Sequence, residues 1–287
     1  MKGLILAGGY GTRFLPATKT VPKEMFPLID RPAIDFIVDE FVKSGVKHIL
    51  IVTSRRKKSL EDYFDREIEL ETYLNDDNKL KKMESAVQSI NDVAIYFIRQ
   101  QEMKGTGHAV LLGKDFLDSP FVLAFPDDLV FSEIPLAKQI MDIHKQTNKN
   151  VLAVKNMEGE DLTRYGIIEP SSTQNNNNYI DVNGIFEKPK KGNEPSNYVS
   201  IGRYLLTPDI FPILENGLNK CKHKEYYLTD AINVLANQNK VVAHEFKGKR
   251  YDIGEPIGYL KTITEYAMSR EDLKDDYINF LNSITLT

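Results

Sequence analysis

Three observations predict an α/β protein whose central sheet is mixed and mostly parallel, with helices on its flanks. A continuous apolar run, Lys2 to Leu6, stops at Gly8, Gly9 and Gly11, as a buried strand running into a glycine loop does. From Ala33 onward, Ile34, Ile37, Val38, Phe41 and Val42 fall on one helical stripe. A second strand-like run, His48 to Thr53 (HILIVT), follows that helix, and the alternation then repeats. In open sheets of this kind, ligands bind beyond the carboxyl ends of the strands. The residues just after each strand are therefore where chemistry is sought.

Taken in order, Gly45 is placed to cap the first helix at its C-terminus. The segment Glu67 to Ile90 is dense in charge and carries Leu70, Tyr73, Leu74, Leu80 and Met83, which reads as helical decoration on the surface. Val93 to Ile98, Phe121 to Phe125 and Val151 to Val154 read as further strands, with a helix over Leu136 to Gln146. Ser171 to Asn178 (SSTQNNNN) is polar and of low complexity, a solvated hairpin end.

The chain of 287 residues is long enough to bury one large core or two modest ones, and one globular body is expected. Its 41 acidic and 37 basic residues give a net charge of −4, without the basic excess of a nucleic-acid footprint. Any phosphate must then bind at a local site. Cys221 is the only cysteine, which excludes an internal disulfide and fits a reducing compartment. No apolar run reaches the length of a signal core or a membrane span, so a cytoplasmic protein with no membrane partner is expected.

The run Leu6-Ala7-Gly8-Gly9-Tyr10-Gly11-Thr12-Arg13 is a phosphate-loop candidate, because glycines let backbone N–H groups approach phosphate oxygens. It is not a Walker A loop, since no Gly-Lys-Ser/Thr follows. It also fails the dinucleotide fingerprint, since Phe14 stands where the third glycine belongs. Arg13 and Lys23 add two cations suited to a triphosphate and to departing pyrophosphate. Pro16, Pro22 and Pro27 stiffen the chain around Lys23.

GGYGTRFLPATKTVPKEMFPLID, from Gly8 to Asp30, resembles the N-terminal signature of the bacterial UTP:glucose-1-phosphate uridylyltransferases, within the sugar-phosphate nucleotidyltransferase family. Further matches follow in order: RQQEMKGTGHAV (99–110), PDDL (126–129), RYGII (164–168), FEKPK (186–190), PSN (195–197), GRYLLTPDIF (202–211), LTDAI (228–232) and KGKRYDIG (247–254). The resemblance implies a Rossmann-like fold of the nucleotide-diphospho-sugar transferase type. It also implies a nucleotide-binding part over about 1–130, a sugar-binding part over about 131–268 and a C-terminal helical tail over 269–287.

The activity it implies is transfer of a uridylyl group from UTP to glucose 1-phosphate, assisted by Mg²⁺, by a homodimer or homotetramer. Arg13, Lys23, Asp127, Lys188 and Asp252 would be the catalytic residues, with Asp127 and Asp252 binding the metal. Ala7, Gly8, Gly9, Gly11, Thr12, Arg13, Lys23, Gln100 and Gly105 would bind the nucleotide. Gln100, with both a donor and an acceptor, suits the edge of a pyrimidine. Gly166, Glu187 and Lys188 would bind the sugar phosphate, while His108 and Asp230 read as helix-start residues and Asp128 as a neighbour of the metal ligand.

Two departures bear on specificity. Leu6-Ala7-Gly8-Gly9 replaces the Pro-Ala-Ala-Gly of many uridylyl members and is closer to the thymidylyl branch, which leaves dTTP and other sugar 1-phosphates open. Tyr226-Tyr227 stands where polar residues are expected, so a changed sugar pocket or subunit contact is open too. A catalytically silent sugar-nucleotide-binding subunit is the reading from another class, although every charged group needed for catalysis is present.

Overall fold

The computed structural model describes residues 1–74, 93–159, 161–171, 178–221 and 225–284. Leu80 and Met83 of the expected surface decoration lie outside these residues, as do 172–177 of the polar loop. Thirteen strands are formed among the described residues: β1 Lys2–Leu6, β2 Pro27–Leu28, β3 Arg31–Pro32, β4 His48–Thr53, β5 Ala94–Arg99, β6 Phe121–Ala124, β7 Asp128–Phe131, β8 Asn150–Asn156, β9 Gly166–Pro170, β10 Ile180–Glu187, β11 Tyr198–Leu206, β12 Val241–Glu245 and β13 Lys249–Asp252. The helices are α1 Ala33–Lys43, α2 Lys58–Tyr63, α3 Ile68–Tyr73, α4 Thr106–Leu111, α5 Leu136–Thr147, α6 Ile210–Lys220, α7 Leu228–Ala236, α8 Pro256–Ser269 and α9 Lys274–Ser283.

Nine strands make one sheet in the order β5-β4-β1-β6-β11-β8-β12-β10-β9. Seven of them run the same way, and β10 and β11 run against them, so the sheet is mixed, with its parallel pairings in β5-β4-β1-β6 and between β8 and β12. The continuous apolar character of β1 follows from its place between β4 and β6, with both faces covered. Leu4 and Leu6 join one core with Leu50 and Val52, while Ile5 and Ala7 join the other with Ile49 and Ile51. Each such buried Leu or Ile contributes about 1.5–3 kcal/mol relative to exposure.

Helix α1 ends as its glycine requires. Gly45, at φ +86°, donates its N–H to Val42 O at 2.9 Å, and Val46 donates to Phe41 O at 3.0 Å, the two bonds of a Schellman cap. The cap turns the chain directly into β4 and leaves Val46 packed in the same core as Phe41. The four parallel strands β5, β4, β1 and β6 therefore release their carboxyl ends at one edge, where Gln100, Ser54, Gly8 and Pro126 emerge. No helix among the described residues is long and apolar enough to cross a membrane.

Candidate active site

The loop after β1 is shaped by its glycines. Gly11 takes a left-handed φ of +66° and starts a single 3-10 turn, Thr12–Phe14, while Thr18 Oγ1 donates to the Gly11 carbonyl at 2.8 Å. Beside Gly9 there is open space, since an added Cβ would meet nothing within 4 Å. Ala7 lies beneath the loop, fully buried, with its N–H donated to Val52 O at 2.8 Å. Gly8, Gly9, Gly11, Thr12, Lys23 and Asp127 share the wall of a cleft of about 320 Å³, which Gln100 and Gly105 also line.

Two carboxylates far apart in sequence come together beside Gly254, Asp127 on the wall of this cleft and Asp252 on the wall of a neighbouring cavity. Antiparallel pairing of β7 with β13 puts Asp128 opposite Asp252, and Ile253 N–H bonds to Asp127 O at 2.9 Å. A Cβ on Gly254 would stand 3.0 Å from Asp127 Oδ2 and 3.1 Å from Asp252 Oδ1, so both carboxylates converge on one bare stretch of backbone. Asp252 is further held by the Tyr165 hydroxyl at 3.1 Å and by Gly254 N–H at 3.0 Å. Hard oxygen donors from two carboxylates fit a Mg²⁺ ion that keeps most of its water.

Lys23 Nζ forms an ion pair with Asp127 Oδ2. Burial disfavours both charges, yet each partner holds the other ionised: the Asp127 carboxyl lies below its ordinary range, and Lys23 above its own, with Glu24 contributing. Asp128 goes the other way. Burial raises its pKa, the neighbouring Asp127 and Asp252 add to that, and Arg250, whose Nε lies 2.6 Å from Asp128 Oδ1, only partly offsets it. Asp128 is thus engaged by Arg250 and remains a neighbour of the carboxylate pair. Arg13 leaves more than half of its side chain exposed, at 54%, and places Nε 3.7 Å from Glu255 Oε1.

At the other end of the cleft, Gln100 follows β5 and is 5% exposed. Its Nε2 donates to Gly105 O at 3.2 Å and approaches His108 Nδ1 at 3.1 Å, while its Oε1 would be 2.8 Å from a Cβ on Gly8. His108, in α4, therefore fixes the Gln100 amide. Gly105 has φ +95°, and a Cβ there would strike Tyr226 O at 2.4 Å. Tyr226 is buried against Gly105, Gly107 and Gly217, so the first tyrosine of the unexpected pair is a core residue. Tyr227 instead faces the cleft, and Lys188 Nζ lies 5.6 Å from its ring centroid. Asp230 falls in the first turn of α7.

Gly166 and Glu187 are cross-strand partners of β9 and β10, and a Cβ on Gly166 would be 3.5 Å from Glu187 Oε2. Burial raises the Glu187 pKa, with Lys188, 3.7 Å away, partly opposing. Lys188 has φ +48°, a backbone conformation uncommon for a side-chain-bearing residue. Its N–H bonds to Tyr165 O at 3.0 Å, so Tyr165 ties Lys188 to Asp252 through its two ends.

Tyr165 and Arg250 lie inside the motifs RYGII and KGKRYDIG, but their contacts depend on strand register, which spacing alone does not disclose. The same holds for Arg203. Its guanidinium, fully buried, reaches Glu40 at 3.0 and 2.9 Å and the Asp128 carbonyl at 3.1 Å, fixing the turn that carries Asp127. A glycine loop, a cation, a convergent carboxylate pair and a buried amide are thus brought together beyond the carboxyl ends of the parallel strands, where α/β sheets bind their ligands.

The nucleotidyl transferase family model matches residues 2–269, and the chain belongs to that family. It is 41% identical over 286 residues to the UTP–glucose-1-phosphate uridylyltransferase of Staphylococcus epidermidis strain RP62A, covering 99% of this chain and 98% of the relative. The Bacillus subtilis strain 168 enzyme of the same name is 41% identical over 284 residues, covering 99% and 96%. The solved structure of UTP-bound UGPase from Acinetobacter baumannii superposes with a TM-score of 0.89 at 33% identity, covering 99% of each chain.

Proposed function

We propose that this chain transfers the uridylyl group of UTP to glucose 1-phosphate, forming UDP-glucose and releasing pyrophosphate. The convergence of Asp127 and Asp252 on Gly254, beside Lys23 and a glycine-walled cleft, is the observation that carries this reading. Full-length similarity to uridylyltransferases supports the choice of substrates.

A phosphate oxygen of glucose 1-phosphate attacks the α-phosphorus of UTP. A new P–O bond forms as the bond to the bridging β-oxygen breaks, and pyrophosphate leaves with that electron pair. The nucleophile is already ionised, so no general base is needed. Catalysis then rests on positioning and on neutralising charge. Asp127 and Asp252 would hold Mg²⁺, which supplies charge neutralisation on the phosphates when bound. Lys23 and Arg13 face the pyrophosphate, Gln100 and Gly105 read the base, and Gly8, Gly9, Gly11 and Thr12 line the nucleotide path over Ala7. Glu187 and Lys188 hold the sugar phosphate against Gly166.

Pyrophosphate release with Mg²⁺ and glucose 1-phosphate, compared across UTP, dTTP, CTP, ATP and GTP, tests the reading. Release with UTP well above the others is expected, and it should be abolished in Asp127→Asn. A preference for dTTP, or release with UTP that survives Asp127→Asn, would overturn it.

A further inference from the structure

A second cavity of about 640 Å³ adjoins the cleft, between the segment carrying Lys19 and the turn after β4 that carries Arg55 and Arg56. The two cavities share Gly9, Tyr10, Thr12, Gln100 and Met103 as a common wall. Lys19, Arg55, Arg56, Lys57 and Arg99 line it, and among the described residues no carboxylate does. This concentration of positive charge stands in a chain of net charge −4, so it is a local feature rather than part of a generally basic surface.

Two of the five cations are already engaged. Lys57 Nζ lies 2.8 Å from both carboxylate oxygens of Glu24, with both side chains buried, and Arg99 is 3.3 Å from Glu61. Lys19, Arg55 and Arg56 are exposed and form no ion pair among the described residues. The buried Lys57–Glu24 pair joins the Arg55–Arg56 turn to the 3-10 turn that carries Lys23. The two arginines are thereby anchored beside the glycine loop, where an anion bound between them would offset their mutual repulsion.

We propose that this cavity is an anion subsite that takes a polyphosphate chain, with Lys19, Arg55 and Arg56 as its charged contacts. Its volume is in the range of small-molecule pockets. The same chemistry has two sources. One is the terminal γ-phosphate of a nucleoside triphosphate whose pyrophosphate portion meets Lys23 and Arg13, reaching across the shared wall, which rests on the reading of the cleft given above. The other is a free polyphosphate, which does not.

Titration calorimetry of the full chain with inorganic tripolyphosphate, without Mg²⁺, tests the subsite against Arg55→Gln/Arg56→Gln. The double variant should bind about tenfold or more weakly, from the loss of two charge-assisted contacts, at an unchanged thermal midpoint. If the KM for UTP rises as well, with the KM for glucose 1-phosphate unchanged, the substrate's own phosphates fill the subsite. If neither KM moves, a free polyphosphate fills it. Equal tripolyphosphate affinity in both proteins, or no binding to either, overturns the proposal. The readout is binding rather than turnover, so its failure is distinguishable from failure of the transferase reading.

Discussion

Replacing Arg203 by Met breaks the buried ion pair beneath the carboxylate site while keeping an unbranched side chain of similar length. Glu40 then loses two guanidinium bonds, at 3.0 and 2.9 Å, and among the described residues keeps the Ala137 N–H at 2.9 Å. The carbonyls of Gly202 and Asp128 lose donors at 3.3 and 3.1 Å. An uncompensated buried carboxylate of this kind costs about 3–5 kcal/mol. At roughly 2 °C per kcal/mol for a chain of this size, the thermal midpoint should fall by about 6–10 °C. Adding Glu40→Gln removes the stranded charge, so the double variant should be more stable than the sum of the single losses by at least about 1 kcal/mol. Urea and thermal unfolding followed by circular dichroism read both quantities. A loss under about 1 kcal/mol in Arg203→Met, or strict additivity, would refute the reasoning.

Tyr165→Phe removes the hydroxyl bond to Asp252, and the Mg²⁺ concentration for half-maximal pyrophosphate release should rise about tenfold or more; an unchanged requirement would sink the idea that Tyr165 orients a metal ligand. Gly105→Ala forces a Cβ toward Tyr226 O at a φ of +95°, so it should lose at least roughly 1–3 kcal/mol of stability and weaken UTP binding, both read by thermal shift with and without UTP. For pH, the depressed Asp127 pKa gives stability that is present above the ordinary carboxylate range and lost as pH falls through the folded value. The raised Lys23 pKa gives stability present below the ordinary lysine range and lost as pH rises through the folded value. Urea unfolding of wild type and Asp127→Asn should therefore converge at strongly acid pH and differ at neutral pH; a constant gap across that range would contradict the pairing.

The parts of the fold that rest on local rules are legible in the sequence. β1 and β4 are apolar through their centres, Leu4–Leu6 and Ile49–Val52, because both faces are covered there, and Gly45 marks a helix end because a left-handed residue is needed there. The strands in the second half of the chain are harder. β10 mixes exposed and buried positions, β11 carries a register shift between Ser200 and Tyr204, and β12 pairs parallel with β8 on one side and antiparallel with β10 on the other. Among the candidate site residues, Gly8, Gly11 and Asp127 stand just after strands, where ligands are sought, and Lys23 follows the glycine loop between prolines, while the metal-binding role of Asp127 rests on the resemblance. Asp252 was recognisable only through its motif, since its partner arrives by the pairing of β13 with β7. Tyr226 looked like a change in a binding pocket and is a core residue packed on three glycines, which no linear pattern reveals.

Phosphorus NMR of a reaction containing the purified chain, UTP, glucose 1-phosphate and Mg²⁺ tests the central claim most directly. Signals of UDP-glucose and pyrophosphate should grow in equal amounts as those of UTP and glucose 1-phosphate decline. Orthophosphate in place of pyrophosphate, or loss of UTP without a sugar nucleotide, would contradict the account.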